Sequence, residues 1–279
     1  MKHVTIIGTG LIGSSIGLAL RAAGFGGRIT GIDASGDELM MAQEAGAVDA
    51  AARSPEEHRA AIEAADVIVL AVPVLAILQW MQVIAPGLRA EQLVTDAGST
   101  KVEIVRAARR LMPVSFLPGH PMAGKESGGA ALADGALFQG ATWIFNPLHD
   151  ATPAEAEWRA WVEKFGAVAV DMDAERHDEL CAWVSHMPQM VSTAMSAMLE
   201  DRFGDSPELR AIGGRALREM TRLGSSPFSM WRDIAHTNET PIAETLLTLE
   251  QRLQHLRENL KTPELREEFA RANAFRQQL

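Results

Sequence analysis

With 279 residues and 47% apolar content, the chain has material for one large or two ordinary globular domains, and 36 acidic against 26 basic residues give a formal net charge of −10. That balance, with no block of Lys or Arg, argues against nucleic acid or an anionic membrane as a partner. A single cysteine, Cys181, excludes an intrachain disulfide framework and fits a reducing cytoplasm.

Residues 3–20 carry no Asp, Glu, Lys or Arg and follow Met1-Lys2, which superficially resembles a secretory leader. Four glycines in that run suit a membrane helix poorly, and a cytoplasmic protein is expected. The first half then alternates. Short β-branched runs (HVTIIG, RITGID, DVIVLAV, QLVTDAG) are separated by Ala-rich stretches that predict helices over 11–23, 36–45, 55–65, 74–85 and 101–112. Continuous apolar strands interleaved with helices predict an α/β, Rossmann-type, doubly wound and mostly parallel sheet. Two more strands are predicted in TWIFNP and AVAVDM, with a helix over 153–165 between them.

The first strand runs into G-x-G-x-x-G at Gly8, Gly10 and Gly13 and opens a helix, and Asp33 follows Gly13 by 20 residues at the end of the second strand. In this context the pattern is a dinucleotide fingerprint. Gly8 permits the tight turn, Gly10 lets a pyrophosphate approach the backbone, Gly13 allows close helix–strand packing, and the helix N-terminus supplies N–H groups. The expected cofactor contacts are Gly8, Gly10, Leu11, Ile12, Gly13 and Asp33, with Val72 and Pro73 after the run DVIVLAV. Asp33 has no Arg or Lys beside it, which favours NAD over NADP, because a carboxylate accepts from a 2′-hydroxyl and repels a 2′-phosphate.

Beyond about residue 172 the strand signals stop. We divide the chain into residues 1–172, a nucleotide-binding domain, and residues 173–279, an all-helical domain for substrate and dimerisation. Residues 173–200 predict one long helix bent at Pro188. Further helices are predicted over 207–222, 227–236 and 239–260. Their apolar faces are too wide for one copy and predict a homodimer through this domain. No βαββαβ pattern follows and no separate mutase-like helical domain precedes, so no fused regulatory domain is expected.

Ionisable residues concentrate in a few short motifs. DAGSTK (96–101) places Ser99 and Lys101 at the carboxyl end of the sheet, where open α/β sheets bind ligands. FLPGHPMAGKESGG (116–129) gathers His120, Lys125, Glu126 and Ser127. SHMPQ (185–189) lies on the long helix, and REMTRLGSSP with MWRDI follows, Arg218 and Arg222 standing one helical turn apart.

D-x-G-S-x-K, G-H-P-M-A-G-x-E, S-H-x-P, T-R and M-W-R-D-I together resemble the prephenate/arogenate (cyclohexadienyl) dehydrogenase family of tyrosine biosynthesis, in consistent order from Gly8 to about Asp233. The resemblance implies removal of hydride from ring C4 to nicotinamide while CO2 leaves C1, with no metal. His120 matches the family's catalytic His, and Ser99 a Ser that places the hydroxyl and the His. Glu126 and Ser185 match polar residues joining the loop to the second domain, which the resemblance implies as a gate to the site. Arg222 matches a substrate-carboxylate ligand, and Trp231 an aromatic that can approach from the neighbouring subunit. Arg218, His186 and Gln189 are the other expected substrate contacts.

Many prephenate-using members read S-H-x-P-H, whereas Gln189 replaces the second His here. Its carbonyl accepts from the ammonium of arogenate and its NH2 donates to the ketone of prephenate. The reading leans to arogenate, with dual use open. Two rivals remain: a β-hydroxyacid dehydrogenase, which would carry a catalytic Lys on the long helix where this chain has none, and a non-catalytic NAD-sensing protein.

Overall fold

The computed structural model describes residues 1–125 and 127–278. Its first part alternates β1 (His3–Ile7), α1 (Leu11–Ala22), β2 (Arg28–Ile32), α2 (Gly36–Glu44), β3 (Ala50–Ala52), α3 (Pro55–Ala64), β4 (Val67–Leu70), α4 (Val74–Ile84), β5 (Leu93–Asp96), α5 (Val102–Leu111) and β6 (Phe116–Leu117). All six strands are parallel, in the order β3-β2-β1-β4-β5-β6, which is the Rossmann arrangement. Val4, Ile6, Val67 and Val69 face one layer of core with Ile16 and Leu20 of α1. Ile7, Ile68 and Leu70 face the other with Ile77 and Met81 of α4 and Ile104 of α5. Burial on both faces is why these strands read as unbroken apolar runs rather than alternating ones.

The last strands form a second sheet. It contains β7 (Gly119–Pro121), β8 (Thr142–Phe145) and β9 (Val168–Asp171), with α6 (Pro153–Lys164) between the last two. β7 and β8 are antiparallel, β8 and β9 parallel. β6 and β7 are consecutive extended segments separated by Pro118, which has no N–H to donate to a ladder. There the chain leaves the parallel sheet and pairs with β8, so His120 lies on a short strand and not in the glycine-rich loop.

The helical part comprises α7 (Ala174–Cys181), α8 (Met187–Phe203), α9 (Pro207–Ile212), α10 (Arg215–Thr221), α11 (Phe228–Thr237), α12 (Glu239–Glu258) and α13 (Pro263–Arg276). Between α7 and α8 the backbone takes a π-helical turn, Ala182–His186. Pro188 cannot donate to the carbonyl four residues back and its ring would press on it. A one-residue register slip is the local answer, where the sequence predicted a bend. The helix expected over 207–222 is two, separated by Gly213-Gly214, and α13 continues the all-helical part beyond the last helix given bounds from the sequence.

The helix N-termini show how the two parts join. α2, α3, α6 and α7 begin with their own side-chain caps from Ser35, Ser54, Thr152 and Asp173. α1, α4 and α5 begin with Gly10, Pro73 and Lys101, which supply none. Two of these three are capped from the helical part. Asp233 accepts from Leu75 N of α4 at 3.1 Å. Asp178 accepts from Lys101 N at 2.7 Å and Val102 N at 2.9 Å. Carboxylates at helix N-termini satisfy orphan donors and favour the dipole. Thr100 Oγ1 and Thr237 Oγ1 add a bond of 2.7 Å across the same junction. Among the described residues, no helix is long and apolar enough to cross a membrane.

Candidate active site

The third open N-terminus, that of α1, faces a cleft of about 650 Å³ between the two parts. Gly8 has φ +93°, and a Cβ there would sit 2.3 Å from the Ala71 carbonyl oxygen. A Cβ on Gly13 would lie 1.9 Å from the Gly8 carbonyl oxygen, whereas one on Gly10 would meet nothing within 4 Å. The turn is therefore tight at its ends and open at its middle, where α1's first N–H groups have no side-chain cap. This geometry fits a pyrophosphate. Gly10, Leu11, Ile12, Val72 and Pro73 line the cleft. Asp33 closes the rim of the turn, accepting from Thr9 N at 2.6 Å and Ser35 N at 2.8 Å.

Beneath the cleft lies an ion pair that the sequence reading did not assign. Lys101 and Asp96 have fully buried side chains and form a close salt bridge. Lys101 Nζ also donates to Gly119 O at 2.7 Å, while Asp96 accepts from Gly98 N at 2.7 Å and Gly119 N at 3.1 Å. The pair binds the end of β5 to the start of β7, and so holds the backbone on either side of Ser99 and next to His120. Both Ser99 and His120 line the cleft.

His120 Nδ1 lies 2.8 Å from His177 Nε2, and His177 Nδ1 lies 2.8 Å from Asp178 Oδ1. Burial, then the charges of His177, Lys101 and His186, hold the His120 pKa well below the usual histidine value. It is a neutral imidazole at neutral pH, able to accept a proton. Cys181, behind the pair, has its thiol pushed up to about 12, first by burial and then by Asp178. It is an inert buried thiol.

The helical part supplies the opposite wall. The π-helical turn brings Ser185 and His186 to the cleft, followed by Gln189, Arg222 and Trp231. His186 is buried, with its pKa lowered to about 4 by burial. Its Nδ1 accepts from Asn238 Nδ2 at 3.0 Å, leaving Nε2 to carry the ring proton. Trp231 packs edge-on against it at 5.9 Å, and its indole N–H has no partner among the described residues. Trp231 lines the cleft of its own chain. Gln189 Nε2 donates to Leu223 O at 2.7 Å and Thr193 Oγ1 at 3.2 Å.

Arg218 is exposed on α10 and does not line the cleft, because Arg222 begins a separate 3-10 turn, Arg222–Ser225, and the two do not continue one helical face. Glu126 lies outside the described residues. Lys125 lines the cleft while its Nζ donates to Leu132 O at 2.7 Å. The sequence reading missed Asp96, His177, Asp178 and Asn238. Only Asp96 carried a local signal, as the first residue of DAGSTK.

A Rossmann sheet with an open fingerprint turn, facing a neutral histidine and a helical wall of hydrogen-bond donors, defines a two-domain oxidoreductase built for a nicotinamide dinucleotide. Comparison with known proteins narrows the class. Residues 16–171 match the nucleotide-binding domain of prephenate dehydrogenase and residues 173–274 its dimerization domain. The chain belongs to the prephenate dehydrogenase family. It is 34% identical over 260 residues to the prephenate dehydrogenase of Lactococcus lactis subsp. cremoris, covering 92% of this chain and 70% of that protein. The crystal structure of Aquifex aeolicus prephenate dehydrogenase with hydroxyphenyl propionate and NAD+ superposes with a TM-score of 0.87 at 27% identity, covering 100% of this chain and 96% of that one. Synechocystis arogenate dehydrogenase superposes at 0.79 with 26% identity, covering 99% of each chain.

Proposed function

We propose that the chain catalyses NAD-dependent oxidative decarboxylation of a cyclohexadienol in tyrosine biosynthesis, with arogenate preferred to prephenate. The reaction reading is carried by His120, a neutral imidazole beside the fingerprint turn. Its Nδ1 is occupied by His177, which leaves Nε2 for the substrate. When bound, the nicotinamide supplies the acceptor for hydride leaving ring C4. His120 Nε2 draws the C4 hydroxyl proton as that hydride departs. The electron pair of the C1–carboxylate bond enters the ring as CO2 leaves, and the ring oxygen recovers the proton to give the phenol. Ser99 orients the hydroxyl. Arg222, His186 Nε2–H and Trp231 Nε1–H offer donors to the substrate's carboxylates.

The preference for arogenate rests on Gln189. Leu223 O can only accept, so the amide nitrogen faces it, and its second hydrogen faces Thr193. The carbonyl oxygen is the group left for a ligand in the cleft. An acceptor there suits an ammonium and offers nothing to a ketone. NAD is preferred to NADP because Asp33 holds a carboxylate at the end of β2. A homodimer covers the exposed Met198, Ile212, Phe228, Phe269 and Phe275 of the helical part, whose own buried cluster is small. Light scattering should give twice the mass of one chain.

The test of the reaction reading is His120→Asn. It should lower kcat by on the order of 10²–10⁴-fold, the usual share of a general base, with the Kd for NAD unchanged. A parallel loss of NAD affinity would mean that His120 serves the fold alone.

A further inference from the structure

We infer that His177 and Asp178 are positioning residues that set the tautomer of His120, so that the base is competent only while the helical part is seated on the Rossmann sheet. The inference rests on His120 being the base. It starts from Asp178, whose hydrogen bonds to two backbone N–H groups fix it as an acceptor.

Asp178 is acceptor-only as a carboxylate. Its Oδ1 takes Lys101 N at 2.7 Å and His177 Nδ1 at 2.8 Å, and its Oδ2 takes Val102 N at 2.9 Å. The two backbone N–H groups are fixed donors at the start of α5, so Asp178 cannot turn away. His177 must therefore carry a hydrogen on Nδ1, and a neutral His177 then presents a bare Nε2. That nitrogen lies 2.8 Å from His120 Nδ1, and the contact is a hydrogen bond only if His120 carries its hydrogen on Nδ1. The bare lone pair of His120 is then on Nε2, the nitrogen left to the substrate. Between neutral imidazoles, reversing the order at either histidine places two lone pairs or two hydrogens face to face.

The arrangement joins separate parts of the chain. His120 comes from β7, the N–H pair from α5, and His177 with Asp178 from α7. Asn238, at the junction of α11 and α12, donates to Asp178 O at 2.9 Å and to His186 Nδ1 at 3.0 Å. His177 and Asp178 are both buried, so water does not compete for these bonds. Once Nε2 takes a proton, the imidazolium still donates through Nδ1 to His177, and no rearrangement is needed during the reaction. A merely structural dyad would hold α7 against α5 equally well with either tautomer of His120.

Asp178→Asn separates the two roles. The amide oxygen, at the place of Oδ2, keeps Val102 N, while the NH2, at the place of Oδ1, gives up Lys101 N, faces His177 Nδ1 and reverses both histidines, leaving His120 with Nε2–H and no base. We expect kcat to fall by on the order of 10²–10⁴-fold, with KM and the Kd for NAD within a factor of three. Two-bond ¹H–¹⁵N correlation spectra at neutral pH should show His120 as Nδ1–H in the natural protein and Nε2–H in the variant. His177→Gln offers an amide oxygen near the place of Nε2 and should retain far more activity than His177→Leu.

The inference is overturned if His120 of the natural protein is the Nε2–H tautomer, or if Asp178→Asn keeps kcat within threefold. Equal losses in His177→Gln and His177→Leu also overturn it. Should Asp178→Asn fail to fold, the spectrum of the natural protein and the His177 pair still decide. Failure of the natural protein to oxidise any cyclohexadienol would refute the proposed function, whereas the tautomer would still be read from the spectrum.

Discussion

Replacing Gln189 by Met tests the substrate assignment without altering the base. Met is unbranched and of similar volume, so it fills the site of a side chain that is only 4% exposed. It removes the carbonyl oxygen left to the cleft and the NH2 bonded to Leu223 O and Thr193 Oγ1. Orphaning the Leu223 carbonyl costs about 1–3 kcal/mol of stability, which is common to both substrates and cancels in their ratio. What does not cancel is the hydrogen bond from the arogenate ammonium, worth about 1.5–3 kcal/mol because the donor is charged. At 1.4 kcal/mol per tenfold, the kcat/KM ratio of arogenate to prephenate should fall by roughly 10–150-fold. The assay is NADH formation at 340 nm with each substrate under identical conditions. A ratio changed by less than threefold would refute the reasoning and leave Gln189 a structural residue.

Lys101→Met leaves Asp96 buried without its cation, and breaking such a pair costs about 3–5 kcal/mol. At 2–4 °C per kcal/mol the melting temperature should drop by roughly 6–20 °C, and a drop below 2 °C would contradict the role given to the pair. Stability should also fall in acid. His120 and His186 are held below the ordinary value of 6.5, His186 at about 4, so below pH 6.5 the unfolded chain binds protons that the folded one does not. The His186 share grows as pH falls from 6.5 towards 4 and reaches about 3 kcal/mol. Urea midpoints at pH 7.5 and 4.5 measure it, and equal midpoints would refute it. Asp33→Ser should raise the NADP/NAD ratio of kcat/KM at least tenfold, while absolute NAD affinity falls as Thr9 N and Ser35 N lose their acceptor; an unchanged ratio would sink the NAD assignment.

What was legible in the sequence was what is encoded locally. The Gly8–Gly13 turn, the alternation of strands and helices, and the motifs carrying Ser99, His120 and Gln189 each occupy a few consecutive residues. The cleft gathers those residues from distant positions in the chain. Other features were written locally but went unread. Gly213-Gly214 marks the break between α9 and α10, and Thr262-Pro263-Glu264 carries the helix-start signature of α13. The dyad was not legible by any local rule. In ERHDEL, His177 and Asp178 look like the polar face of an ordinary helix. Their roles arise only because α7 crosses the start of α5, which has no cap of its own. Arg218 shows the opposite error. Its i−4 spacing from Arg222 suggested a shared face, but the backbone changes to a 3-10 turn at Arg222.

The most direct test of the central claim is absorbance at 340 nm with NAD, run in parallel with arogenate and with prephenate at equal concentration. The account predicts NADH formation with both and a higher kcat/KM for arogenate. A higher value for prephenate would contradict the reading of Gln189 while keeping the reaction. No NADH with either substrate, and no NADPH when NADP is supplied, would contradict the proposed function.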